Sequence, residues 1–256
     1  MTSDILYSLI MGMLQGLTEW LPVSSSGHLV LAQHFFGAEE RTLFDAILHL
    51  GTLFAMMLYF RKDIRPMLNL KNKKTHKIII ASIPIIIVGF VFSDYIESAF
   101  SLAIVVSILL VINGFVLIVN AFLRQKTTKN DEEINKITMK NTVLIGLFQV
   151  FAILPGISRS GTSITTGRVL GLDWKTAAKF SFFISFLPVA GAAWFKLMTA
   201  WQEFQIVYLL GFFVAFVVGY ITIELMMKIL RMGKFQYFGV YTIIIGFIML
   251  FAIYGI

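Results

Sequence analysis

The chain has 256 residues, 58% of them apolar and only 14% charged, with 25 Phe and 12 Met. Its mean hydropathy is +0.84, whereas a soluble domain carries about a quarter charged residues. Lipid rather than water therefore surrounds most of this chain, which excludes a secreted, cytosolic or disordered protein.

In chain order, the first apolar stretch, 5–22, runs into the polar sequence PVSSSGH, and only 29–36 follows before GAEER. Three full crossings are predicted next, at 43–60, 78–98 and 101–123. A second broken region follows, 142–154 running into PGISRSGT and ending at Gly171. Three more crossings close the chain at 176–198, 206–229 and 236–255. About 20 apolar residues cross a bilayer core as helix, and the arms of the two broken regions are too short to do so. Both read as re-entrant helix–turn–helix hairpins, because irregular backbone at membrane depth persists only where protein buries it or water fills a cavity. The expected fold is all-α and integral to the membrane: about six transmembrane helices plus two re-entrant hairpins in an inverted-topology repeat.

The repeat shows in the residues. A shift of 134 positions lays Gly12 on Gly146, Gln15 on Gln149, Ser24 on Ser158, Ser26 on Ser160 and Gly27 on Gly161. The expected organisation is one polytopic domain over 1–256, with repeat 1 at about 1–123, a cytoplasmic loop at 124–140 and repeat 2 at about 141–256. Three crossings between the copies make the second enter from the opposite side, an arrangement in which broken helices meet near the midplane.

Charge sets the orientation. Fifteen of the 21 basic residues fall in 61–77, 124–140 and 228–234, while the opposite connections hold Glu39, Glu40, Asp94, Glu97 and Glu203. The positive-inside rule makes the basic stretches cytoplasmic, so both termini are expected outside. The net charge of +7 is thus a topology signal, and nucleic acid is not an expected partner. The start, MTSDILYSLI, lacks the basic beginning of a signal peptide. With no Cys, the chain offers neither a disulfide nor a thiolate metal site.

Glu19, His28 and Arg159 are ionisable residues at membrane depth in this reading, and such residues mark functional cavities. A short helix begins at a serine after each break, with hydroxyls to cap it and N–H groups turned into the cavity. Two helix N-termini, several hydroxyls and one guanidinium fork make an anion site, for which phosphate is the best geometric fit. Gln15 and Glu19 lie one helical turn apart on one face, as do Ser25 and His28. A Ser–His–Glu set beside a phosphate pocket would supply nucleophile, acid/base and orienting carboxylate. Ser25 is the expected nucleophile, since the repeat places it opposite Arg159. Ser24, Ser26, Gly27, Ser158, Ser160 and Thr162 are expected around the phosphate. His34, His49 and His76 are expected to be structural, and the four Trp to sit in interfacial belts.

QGLTEWLPVSSSGH at 15–28 and PGISRSGTS at 155–163 resemble the paired signatures of the bacitracin-resistance undecaprenyl-diphosphate phosphatases, and the span pattern resembles that family over the whole chain. The resemblance implies hydrolysis of undecaprenyl diphosphate to the monophosphate and phosphate, which recycles a cell-wall lipid carrier. It places the reaction at the outer face of the plasma membrane with a divalent cation, Mg²⁺ or Ca²⁺. The family's E/Q-x-x-x-E pattern falls on Gln15 and Glu19, its hydroxyl and His on Ser25 and His28, and its phosphate-binding Arg on Arg159. Gln at position 15 removes one carboxylate and leaves Glu19 as the candidate metal ligand. The expected partners are a polyprenyl diphosphate lipid, the bilayer and a second copy of the chain in a homodimer. The alternative function is a polyprenyl-phosphate transporter, since broken helices in an inverted repeat also build transporters.

Overall fold

Runs of apolar residues with their polar side chains turned inward form helices here because, in lipid, a helix satisfies every backbone N–H and C=O within the segment. A computed structural model describes residues 2–37, 42–100, 102–122, 134, 137–232 and 234–254. Most of the basic stretch 124–140, the pair Glu39 and Glu40, and the last two residues lie outside the described residues, as do the side chains of Asp94 and Glu97. Thirteen α-helices are described: α1 (Thr2–Thr18), α2 (Ser25–Phe36), α3 (Thr42–Tyr59), α4 (Arg61–Ile64), α5 (Lys73–Val91), α6 (Ser93–Phe100), α7 (Ala103–Phe122), α8 (Met139–Phe148), α9 (Arg159–Val169), α10 (Trp174–Ile184), α11 (Phe186–Thr199), α12 (Tyr208–Arg231) and α13 (Gln236–Tyr254). A 3₁₀ turn, Gln149–Ile153, extends α8 toward the second break.

Six stretches are long and apolar enough to cross a membrane: Thr42–Tyr59, Lys73–Val91, Ala103–Asn120, Trp174–Thr199, Tyr208–Arg231 and Gln236–Ile253. They coincide with the six expected crossings, with shifted ends. The crossing expected at 78–98 instead starts at Lys73 and ends at Val91, where a separate helix, α6, takes over. The crossing Trp174–Thr199 is interrupted at Ser185. Pro188 has no N–H for the carbonyl of Ile184, and that carbonyl accepts the Ser82 hydroxyl of α5 at 2.9 Å instead.

Three of the four arms around the two breaks are short. At about 1.5 Å per residue, α2, α8 and α9 rise about 18, 15 and 16 Å, against a hydrocarbon core of about 30 Å. Element starts follow the sequence repeat: α2, α3, α5 and α7 begin at 25, 42, 73 and 103, and α9, α10, α12 and α13 at 159, 174, 208 and 236. Packing partners exchange under the same shift. Helices α1 and α3 pack on α12, whereas α8, α10 and α11 pack on α5, and α7 packs on α13. Equivalent glycines permit two of these approaches. A Cβ at Gly12 would lie 2.6 Å from the Gly211 carbonyl of α12, and one at Gly146 would lie 2.6 Å from the Ala81 carbonyl of α5.

Candidate active site

Helix α1 ends at Thr18, so the chain leaves it as a turn over 19–23 and re-enters helix at Ser25. Ser24 caps α2 by accepting the Gly27 N–H at 3.3 Å, and it does so with φ of 67°, a left-handed conformation unusual for a residue with a Cβ. The second break runs 154–158 and ends the same way, with Ser158 accepting the Gly161 N–H at 3.0 Å. The breaks touch directly. The Ser24 hydroxyl also accepts the Gly156 N–H at 3.1 Å, and Gly156 holds φ of 106° where a Cβ would meet the Val106 carbonyl at 2.6 Å. Ser160 donates to the Leu21 carbonyl across the breaks at 2.9 Å.

Glu19 stands at the centre and is buried. Its Oε1 forms a short ion pair with Arg159 Nη2. Its Oε2 accepts the Ser25 hydroxyl at 2.5 Å and the Gln15 amide at 3.1 Å. Residues 140 positions apart in sequence therefore meet in one chain of contacts, Ser25 to Glu19 to Arg159. Arg159 Nη1 and Gln15 Oε1 are buried and have no hydrogen-bond partner among the described residues. A buried donor left unmade costs about 1–3 kcal/mol, more when charged. An acceptor such as a phosphate oxygen would satisfy Arg159 Nη1.

The expected Ser–His–Glu set does not assemble. His28 Nδ1 donates to the Ser24 carbonyl at 2.8 Å, and Nε2 meets the Tyr241 hydroxyl of α13 at 2.9 Å, the two rings parallel within 2°. Both ring nitrogens are thus engaged away from Ser25, by the Ser24 carbonyl and by a hydroxyl of α13. The hydroxyls of the second break are also committed within the protein. Thr162 donates to the Ser158 carbonyl at 2.9 Å, Ser160 to Leu21, and the Ser158 hydroxyl lies 3.1 Å from that of Ser160. Ser26 lies on the rim, its hydroxyl 3.4 Å from that of Ser24, and Gly27 packs against Gly156.

Sequence reasoning missed His49 of α3, which is not a remote structural histidine. Its Nδ1 donates to the Asp45 carbonyl at 2.8 Å, and its Nε2 faces Glu19 Oε2 at 3.5 Å. One turn on, Thr52 accepts from Gln15 at 3.3 Å. The spacing of His49 and Thr52 on one face of an apolar helix was a signal, but nothing local tied it to Glu19. Trp20 departs from the interfacial expectation, being fully buried with its ring 5.0 Å from that of Phe182.

Among the described residues, no three His, Asp or Glu side chains cluster so as to hold a metal ion. Both Glu19 oxygens already face donors, and a guanidinium already balances its charge. The donor set does not fit a cation held by the protein alone.

These features define a class: a multi-pass helical membrane protein with a buried carboxylate, hydroxyl and guanidinium gathered where two broken helices meet. A family model described as bacitracin resistance protein BacA matches residues 8–248, and the chain belongs to that family. An undecaprenyl-diphosphatase of Desulforapulum autotrophicum is 36% identical over 275 positions covering 97% of this chain and 98% of the relative. Undecaprenyl-diphosphatases of Methanobrevibacter smithii and Carboxydothermus hydrogenoformans are 36% and 37% identical, covering 96% and 93% of this chain and 96% and 94% of their own lengths.

Proposed function

We propose that this protein hydrolyses undecaprenyl diphosphate to undecaprenyl phosphate and phosphate, and so recycles a lipid carrier of peptidoglycan synthesis and confers bacitracin resistance. The observation that carries the reading is the contact chain Ser25–Glu19–Arg159 with Arg159 Nη1 left unpartnered. The names of the relatives support a hydrolase over the transporter alternative.

In this reading Arg159 turns Nη1 to the terminal phosphate, and first-turn amides of α2 and α9 add donors. Ser25 Oγ attacks the terminal phosphorus while its proton passes to Glu19 Oε2. The bond from phosphorus to the bridging oxygen breaks, and undecaprenyl phosphate leaves with that oxygen. Water then displaces the serine oxygen, which regains the proton from Glu19, and phosphate departs. Charge developing on the phosphoryl oxygens faces the Arg159 guanidinium, a fixed donor in a site shielded from water. Glu19 therefore takes the role that sequence spacing had assigned to His28. A divalent cation, Mg²⁺ or Ca²⁺, belongs to this reading as a companion of the diphosphate rather than a resident of the protein.

The positive-inside pattern supports a plasma-membrane protein with both termini outside and a pocket opening to the outer face. The exchange of packing partners supports the inverted repeat and its two re-entrant hairpins. A homodimer completes the reading, and the mass of the purified protein in detergent checks it. The deciding experiment measures phosphate release from undecaprenyl diphosphate by purified protein in detergent, with Mg²⁺ or Ca²⁺. Wild type should turn over and folded Ser25→Ala should not; an inert wild type that still binds the lipid overturns the hydrolase.

A further inference from the structure

Helix α7 carries an amide where lipid-facing or packing side chains are the rule. Asn113 lies inside an 18-residue stretch of mean hydropathy 2.6, and it is buried. A side-chain amide at that depth is costly without partners, and Asn113 has one on each break. Its Nδ2 donates to the Pro22 carbonyl at 3.1 Å, and its Oδ1 accepts the Ser158 N–H at 3.0 Å. The two contacts fix the amide's orientation, since a carbonyl can only accept and a backbone N–H can only donate.

Pro22 follows Glu19 by three residues, and Ser158 immediately precedes Arg159. One rigid side chain thus grips both backbones beside the residues whose side chains meet in the pocket. Ser24 to Gly156 and Ser160 to Leu21 join the breaks directly. Only the Asn113 link comes from a third element, so among these three it alone ties the breaks to the scaffold of α7 and α13.

We propose that Asn113 is a positioning residue for the phosphoryl-transfer site: by holding the Pro22 carbonyl and the Ser158 amide at once, it sets the separation of Ser25–Glu19 from Arg159. The inference rests on the hydrolase reading above. It acts through the backbone, touching no reacting atom, so its loss should slow turnover more than it weakens substrate binding. A displacement of about 1 Å in a reacting geometry costs about a hundredfold in rate.

The test compares wild type, Asn113→Leu and Asn113→Asp by phosphate release from undecaprenyl diphosphate and by thermal midpoint in detergent. Asn113→Leu keeps the shape and loses both hydrogen bonds, so kcat should fall about tenfold to a hundredfold with KM within about threefold. Asn113→Asp separates the bonds. A protonated carboxyl has one donor and one acceptor, like the amide, whereas a carboxylate confronts the Pro22 carbonyl with an acceptor. Its kcat relative to wild type should therefore be highest at acid pH and fall toward that of Asn113→Leu as pH rises. An Asn113→Leu protein with wild-type kcat overturns the proposal. So does a variant pair that loses kcat and KM together, with no pH dependence relative to wild type and a lowered midpoint. A wild type that releases no phosphate instead overturns the hydrolase reading, which keeps the two failures apart.

Discussion

The two helix breaks share a serine-cap hydrogen bond but differ in backbone, Ser24 holding φ of 67° and Ser158 φ of −79°. Each turns through a proline-containing stretch and starts a new helix after a serine whose hydroxyl accepts the N–H three residues on. The side chains at equivalent positions differ as well. Where the first break has Glu19, Ser25 and His28, the second has Ile153, Arg159 and Thr162 at the positions 134 further on. The first supplies the carboxylate and hydroxyl, the second the guanidinium, and neither is a site alone. Gln15 and Gln149 make the same point. Gln15 donates to Glu19, while Gln149 donates to the Ala81 carbonyl of α5 at 2.5 Å. Equivalent glutamines thus hold different partners, one in the candidate site and one in the contact between α8 and α5.

The sharpest way to break this division is at Glu19. Glu19→Gln keeps the shape and removes the proton acceptor, and phosphate release should fall by about 10²–10⁴. Arg159→Ala should lower kcat by about 10²–10³, as expected for one fixed donor to developing charge. Arg159→Lys should recover little, since a point charge cannot keep Glu19 on one nitrogen and offer a second to phosphate. Near-normal turnover of the lysine variant would contradict this bridging role.

Smaller effects test how far the first break extends. His49→Ala removes a partner of Glu19 Oε2 and should cost more activity than His28→Gln; steady-state rates of the two, side by side, check the ranking. If His28→Gln is the more severe, the triad reading returns. Tyr241→Phe should change turnover least, because it removes one hydroxyl on the outer side of His28. The caps give the finest comparison. Ser158→Ala should lower stability by about 1 kcal/mol, and Ser24→Ala by more, because the Ser24 hydroxyl also accepts the Gly156 N–H. Thermal midpoints in matched detergent decide between them, and equal losses would show that the cross-break bond contributes nothing.

Much of this molecule is legible in one dimension. The crossings follow from apolar runs of about 20 residues, and the breaks follow from prolines set beside clustered glycines and hydroxyls at 22–27 and 155–163. The 134-residue shift, the hydroxyls beside the breaks and the ionisable residues at membrane depth single out Glu19, Ser25 and Arg159 as candidates. These are local properties, because a helix satisfies its own backbone and lipid tolerates unpaired charge poorly.

Which side chains share an atom was decided by tertiary structure alone. His28 has the right spacing from Ser25 and yet faces Tyr241, 213 positions away, whereas His49, in an apolar helix with no motif around it, faces Glu19. Asn113 has no local signature that links it to Pro22 or Ser158, 91 and 45 positions distant. Periodicity states which face of a helix is buried, but the partner on that face depends on how α3, α7 and α13 pack around the breaks. That packing is a property of the whole bundle, so the sequence by itself determined the frame and the candidate residues, and the assembled helices decided which of them meet.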